Sequence, residues 1–401
     1  MFSEGFGMAN REHGVPNTPV TKFRIGSLTK AFTSMGIFQL HEKNKLNTND
    51  TLDKYFPEYP NGDRISIFHC LTNTSGIPNY TSFPDFWPYS MRLPSSLNQL
   101  IDSFKALECE FVPGSRFGYS NSGYALLTAI IESVSGMSYS DYIREQICIP
   151  SGMLHTGCDD GTRIVPNLAA GYSFYEEPIH AAYQDMSYPL GAYGLYSTTE
   201  DLLIWDKVLK TSQLLSKDLT EIMFTPIHSS YASGWMVSQV NGRACINHFG
   251  DVGGYFSDFL RFVDDEVTII FLSNMNVTPV THLSREMAKV VFGENVSLPL
   301  LAEPILLTDQ ESILGNYAVD DSDTILEISL KNNELYLTVP KMYGVLYKFK
   351  LVPVSHDSTQ TTFLTEMIHE QLVFRYSEAG EVNCVEYTDY FSENHMLFRV
   401  K

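Results

Sequence analysis

The chain has 401 residues, room for two or three domains at about 150 residues each, so a lone small module is excluded. Charged residues make up 18% and hydrophobic residues 44% of it, a globular composition rather than a disordered one. Against 47 Asp and Glu stand 27 Lys and Arg, a net charge of −20. That is the wrong sign for gripping a phosphate backbone and excludes a nucleic-acid partner.

Cys70, Cys109, Cys148, Cys158, Cys245 and Cys384 are scattered, with no C-x-x-C pair and no histidine at ligand spacing. No metal site or disulfide framework is expected, and no cofactor. The apolar run Val267–Leu272 (VTIIFL) soon meets Ser273 and Asn274, far short of the roughly 18 residues a membrane crossing needs. The N-terminus (MFSEGFGMANREHG) has neither a basic start nor an apolar stretch, so it does not read as a secretory signal.

In chain order, Gly5, Gly7, Gly14, Pro16 and Pro19 around short apolar pieces predict a strand and a loop over the first 26 residues. From Ser27, apolar residues fall on nearly every face (Leu28, Ala31, Phe32, Met35, Ile37, Phe38, Leu40), which predicts a buried helix. Prolines at 57, 60, 78, 84, 88 and 94 break residues 55–95 into loops and short helices. A second long helical region is predicted from Asn121 to Ile147, with Gly136 a plausible stop. Ser197 and Glu200 resemble a capping box opening a helix through Val208. Strands are predicted at Cys245–His248, Gly254–Phe262 and Glu266–Ser273. A proline-bracketed linker, Leu298–Pro304, precedes alternating runs at Leu326–Leu330 and Leu335–Val339 around Asn332-Asn333, and at Leu372–Tyr376 and Val382–Tyr387 around Ala379-Gly380. These predict two hairpins in a separate small all-β domain over 308–401.

Ser27-Leu28-Thr29-Lys30 places a hydroxyl and an ammonium three residues apart on one helix face. A serine becomes a nucleophile when a neighbouring base takes its proton, and a desolvated lysine can be that base. Alone, the pattern reads as an N-cap serine and a helix lysine, since chance supplies such a pairing in a chain of this length. Tyr119-Ser120-Asn121 is a Y-x-N before the second long helix, and His248-Phe249-Gly250 an H-x-G at a strand end. Tyr59-Pro60-Asn61 and His155-Thr156-Gly157 match the same patterns, so context separates the pairs. Tyr119 could also be an ordinary half-buried aromatic, Asn121 a helix cap, and His248 a strand-end residue.

Together these motifs, with FRIGSLTKAFT at 23–33, LTNTSGIPNY at 71–80, GSRFGYSNSGYALL at 114–127, YGLYSTTEDL at 193–202 and HFGDVGGYFSDF at 248–259, resemble the serine β-lactamase-like hydrolases of the class C type. That family includes D,D-peptidases, penicillin-binding proteins, D-stereospecific aminopeptidases and esterases. The order agrees: Tyr119 follows Ser27 by 92 residues and His248 follows Tyr119 by 129. The resemblance covers about residues 1–300 and implies an α/β (α+β) fold. An antiparallel sheet flanked by helices, from about 1–45 and 190–300, would carry an inserted helical lobe, with the active site at their junction and a barrel-like C-terminal domain after it.

It implies Ser27 as the acylated nucleophile, with Lys30 and Tyr119 sharing base and acid duty. Asn121 would contact substrate or hold Lys30, and His248 would occupy the position of the third-motif lysine. The backbone N–H groups of Ser27 and Asp251 would stabilise the oxyanion, with Gly250 allowing close approach. The substrate would be a small molecule or peptide: an amide, ester or β-lactam. Two alternatives are a slowly acylated D,D-carboxypeptidase or transpeptidase-like penicillin-binding protein and a non-catalytic pseudoenzyme.

Two departures shape the expectations. The middle residue of the third motif is commonly Ser or Thr and here is Phe249, so a substrate carboxylate is not tightly held and β-lactam hydrolysis should be weak. Ser27 lies only 26 residues from Met1, which implies that an N-terminal helix and first strand are missing. That would leave an exposed sheet edge, available for self-association.

Overall fold

The computed structural model describes residues 1–187, 189–296, 303–307, 310–320, 322–340, 345–368, 370–389 and 393–400. They form two compact units, Met1–Gly171 with Ala182–Asn274, and Tyr172–Ala181 with Met275–Lys401. No helix among the described residues is long and apolar enough to cross a membrane.

In the first unit, helix α1 (Thr29–Glu42) follows a single 3-10 turn at Gly26–Leu28. Every residue from Thr29 to Leu40 is buried, as the all-round apolar pattern requires, and Phe32 stacks on Trp205 with ring centroids 4.4 Å apart. The residue capping α1 is Leu28, without a side-chain cap bond. Ser27 is therefore not the helix cap.

Helix α2 (Asn121–Ser135) stops at Gly136, whose φ of 72° supplies the left-handed closing residue. The predicted continuation to Ile147 is a separate piece: Ser138 caps a new turn by accepting from Asp141 N, and a π-helical stretch (Ile143–Cys148) follows. Helix α3 (Thr199–Leu209) is capped by Thr198 rather than Ser197, because the Ser197 hydroxyl is already shared with Thr156 at 2.8 Å. Residues 55–95 form 3-10 turns and one short helix, Ile67–Leu71.

Strands β1 (Phe23–Arg24), β2 (Gly157–Cys158) and β3 (Leu195–Ser197) make a small sheet with β3 in the middle. The main sheet is antiparallel, β4 (Met236–Val240), β5 (Arg243–Val252), β6 (Tyr255–Phe262) and β7 (Val267–Ser273), in sequential order. Along β5, Arg243–Asn247 pair with β4, whereas His248–Val252 pair only with β6 among the described pairings. That half-open stretch faces the turn at Gly26–Leu28: Ser257 Oγ on β6 donates to Ile25 O at 2.8 Å. Asn274, just past β7, holds the short N-terminal hairpin (Met8–Asn10 with Val15–Pro16) by donating to Met8 O, and ties it to the neighbouring segment by donating to Ala170 O as well.

The second unit contains an eight-stranded antiparallel barrel: β8 (Gly315–Val319), β9 (Ile325–Lys331), β10 (Glu334–Pro340), β11 (Leu346–His356), β12 (Gln360–Thr365), β13 (Gln371–Tyr376), β14 (Val382–Thr388) and β15 (Asn394–Arg399). It closes through the β8–β15 and β10–β11 pairings, which removes the open edges. Leu337, Phe349, Phe363, Leu372, Phe374 and Val385 fill its core. Both predicted hairpins form, β9–β10 and β13–β14. Asn332 and Asn333 sit at φ 52° and 62°, the pair of positive values a two-residue hairpin turn demands. A further hairpin, Tyr172–Tyr175 with Glu177–His180, runs beside β11. Most of the expected Leu298–Pro304 linker lies outside the described residues.

Candidate active site

Ser27 sits in the tight turn entering α1, half-buried and with its hydroxyl free of capping duty. One turn along the same face, Lys30 is fully buried. Its Nζ lies 3.1 Å from Ser27 Oγ, 2.7 Å from Asn121 Oδ1 and 2.8 Å from Ala192 O. It also stands over the rings of Tyr119 and Tyr124, 4.7 and 5.2 Å from their centroids. Among the described residues no carboxylate pairs with it, and desolvation lowers its pKa well below that of a free lysine.

Tyr119 approaches from the loop before α2 and donates to Ser27 Oγ at 2.7 Å. Burial raises its pKa, and the charge of Asp251 adds to the shift. Tyr119 therefore stays a proton donor at neutral pH. Asn121 is the first residue of α2 rather than its cap, which is Ser120. Its amide is held from both ends: Oδ1 accepts from Lys30, and Nδ2 donates to Thr81 Oγ1 at 3.1 Å.

His248 is buried on β5. Its Nδ1 lies 2.6 Å from the Phe249 carbonyl and so carries the proton, leaving Nε2 to accept from Tyr231 OH at 3.0 Å. Burial, reinforced by the Lys30 charge, lowers its pKa to about 3. The imidazole is therefore neutral at physiological pH. Phe249, half-buried, packs edge-on against Phe256 and offers no hydroxyl.

Gly26 and Gly250 set the gap between the Ser27 turn and β5. Gly26 has φ +54°, and a Cβ there would lie 2.4 Å from Asp251 N; a Cβ on Gly250 would lie 2.1 Å from Ile25 O. Only glycines permit this approach.

All three sequence motifs thus converge in the first unit, while the look-alike His155-Thr156-Gly157 is engaged elsewhere: His155 N and Thr156 Oγ1 bond to Asp201 at 2.7 and 2.8 Å. Three groups escaped the sequence reading. The Ala192 carbonyl and Thr81 hydroxyl orient Lys30 and Asn121, and Tyr231 fixes His248 while its ring meets Tyr119 edge-on. Among the described residues, one set of potential metal ligands, Asp389, Glu393 and His395 on the barrel, comes within 4.8 Å of one another.

The Beta-lactamase family model matches residues 1–292. The chain belongs to the beta-lactamase family. Among curated relatives, this beta-lactamase-family chain is 27% identical to penicillin-binding protein 4* of Bacillus subtilis, across 97% of this chain and 90% of that one. The octameric penicillin-binding protein homologue from Pyrococcus abyssi superposes with a TM-score of 0.66 and 25% identity, covering 99% of this chain and 93% of that one. D-amino acid amidase from Ochrobactrum anthropi shares the fold, with a TM-score of 0.60 at 23% identity over 67% of this chain and 80% of that one. The beta-lactamase/transpeptidase fold and the serine acyl-enzyme chemistry of the family are therefore the frame for this site.

Proposed function

We propose that the protein is a serine hydrolase that works through a Ser27 acyl-enzyme on an ester or peptide-like amide. One observation carries the reading: Ser27 Oγ lies between Lys30 Nζ and Tyr119 OH, with Lys30 desolvated and, among the described residues, unpaired with any carboxylate. Uncharged Lys30 takes the proton as Ser27 Oγ attacks the carbonyl carbon. The Ser27 and Asp251 N–H groups receive the developing oxyanion. As the tetrahedral intermediate collapses, the C–N or C–O bond breaks and Tyr119 hands a proton to the leaving group, Lys30 resupplying it. Water then attacks the acyl carbon along the same route, and Ser27 is regenerated.

Phe249 in place of a hydroxyl residue and a neutral His248 weaken any hold on a substrate carboxylate, so β-lactams are poor substrates. A fluorophosphonate should label Ser27, and a short p-nitrophenyl ester should be turned over far faster than a chromogenic cephalosporin. Absence of a Ser27 adduct favours the pseudoenzyme, and a persistent penicillin adduct favours the slowly acylated penicillin-binding reading. Cephalosporin turnover near the diffusion ceiling of about 10⁸ M⁻¹s⁻¹ would sink the substrate preference.

We also propose self-association through β7, which pairs on one side only among the described pairings. An unpaired edge offers a row of N–H and C=O groups to a second copy. Sedimentation velocity should report an oligomer that a proline at Ile270 dissociates; a monomer at micromolar concentration would refute it.

A further inference from the structure

The chemistry above uses the Asp251 backbone and leaves its carboxyl without a task. Alternation along β5 puts Asp251 on the same face as Phe249, both half-buried, opposite buried His248, Gly250 and Val252. Its backbone N sits against Gly26, beside the nucleophile turn, and its charge is felt at Tyr119. The side chain thus projects from the residue that lines the reacting centre. Among the described residues the carboxyl makes no hydrogen bond and no ion pair. The basic groups of the site are otherwise engaged: Arg24 with Asp159 at 2.8 Å, and Lys30 with Ser27, Asn121 and Ala192.

We propose that the Asp251 carboxylate is the recognition group for a substrate α-ammonium, so that the preferred substrates are amides or esters of amino acids with a free amino terminus. This rests on the acyl-enzyme reading of the same site.

The stereochemical logic is local. In an α-amino amide, one Cα joins the carbonyl to the ammonium; in Asp251, one Cα joins the N–H to the carboxylate-bearing Cβ. A substrate oxygen received by the N–H therefore brings its ammonium alongside the carboxylate. Desolvation pushes the isolated Asp251 carboxyl up to about 7, and a ligand cation supplies the charge partner that the protein does not. A bound ammonium also offsets the negative field that disfavours ionisation of Tyr119, so the preference should be visible in kcat as well as in KM. A substrate carboxylate at the same place would be repelled.

The test compares phenylalanine p-nitroanilide with its N-acetyl derivative, in both enantiomers, on the full chain. Wild type should favour the free amine by about 10- to 100-fold in kcat/KM. In Asp251→Asn that ratio should collapse toward one, and Asp251→Glu should restore part of it. No preference in wild type, a measurement that needs no variant, overturns the proposal. So does a uniform loss on both substrates at constant ratio in Asp251→Asn, which assigns the effect to the backbone. Either of those results with Ser27 still labelled by a fluorophosphonate leaves the acyl-enzyme reading standing; absence of Ser27 labelling overturns that reading and this inference with it.

Discussion

Lys30→Met should lower kcat by about 10²- to 10⁴-fold, the usual reach of a positioned general base, while leaving the fold intact. Methionine matches the length of the aliphatic stem but cannot accept the Ser27 proton. Two stability effects oppose each other. Asn121 Oδ1 and Ala192 O lose their donor, at about 1–3 kcal/mol for each buried acceptor left unmade. Against this, methionine removes a desolvated amine.

The pH dependence separates the two effects. The folded-state pKa of Lys30 lies well below the ordinary lysine value of 10.5, so between those values the unfolded chain binds more protons than the native one. The penalty from Lys30 is absent above about 10.5, grows as pH falls toward the folded pKa, and is constant below it. The stability of Lys30→Met relative to wild type should therefore improve from pH 10 to pH 7. Thermal melts at both values, beside ester turnover, check this. Wild-type turnover in Lys30→Met would remove lysine from the mechanism, and a pH-independent stability difference would mean that its pKa is not lowered.

Much of this architecture is legible from short-range pattern. The all-round apolar run after Ser27 gives α1 its buried position, and Asn332-Asn333 marks a hairpin because both residues tolerate positive φ. The S-x-x-K spacing puts Ser27 and Lys30 on one face from three residues of sequence. The rest depends on distant parts of the chain. Ala192 O reaches Lys30 across 162 residues, and Tyr231 meets His248 through a loop with no periodicity to announce it. Local competition also misleads: Ser197, a capping residue by pattern, is engaged by Thr156, so Thr198 takes the cap. Likewise, Ser27 and Asn121 look like caps, yet the caps are Leu28 and Ser120. Both of those side chains are thereby left free for Lys30.

Gly250→Ala should cost about 10²- to 10³-fold in kcat/KM, the loss that follows removal of one oxyanion donor, although it adds a single methyl far smaller than any substrate group. That methyl would sit 2.1 Å from Ile25 O and 2.4 Å from Ser257 Oγ. Neither neighbour can withdraw cheaply, because Ser257 Oγ is bonded to Ile25 O and because Gly26, next in the chain, already presses against Asp251 N. The strand must retreat from the Ser27 turn, and Asp251 N, one residue on, retreats with it. Overpacking of this kind costs about 1–3 kcal/mol, enough to lower Tm but not to unfold the unit. Gly242→Ala supplies the control: it lies in the β4–β5 turn at φ +74° with nothing within 4 Å of the added carbon, so it carries backbone strain of about 1 kcal/mol and keeps full activity. Acylation of Ser27 by a fluorophosphonate and steady-state ester hydrolysis, measured on both variants with their melting temperatures, separate the two effects. Equal losses of activity in the two variants would mean that turnover follows general stability; an unimpaired Gly250→Ala would mean that Asp251 N does not receive the oxyanion.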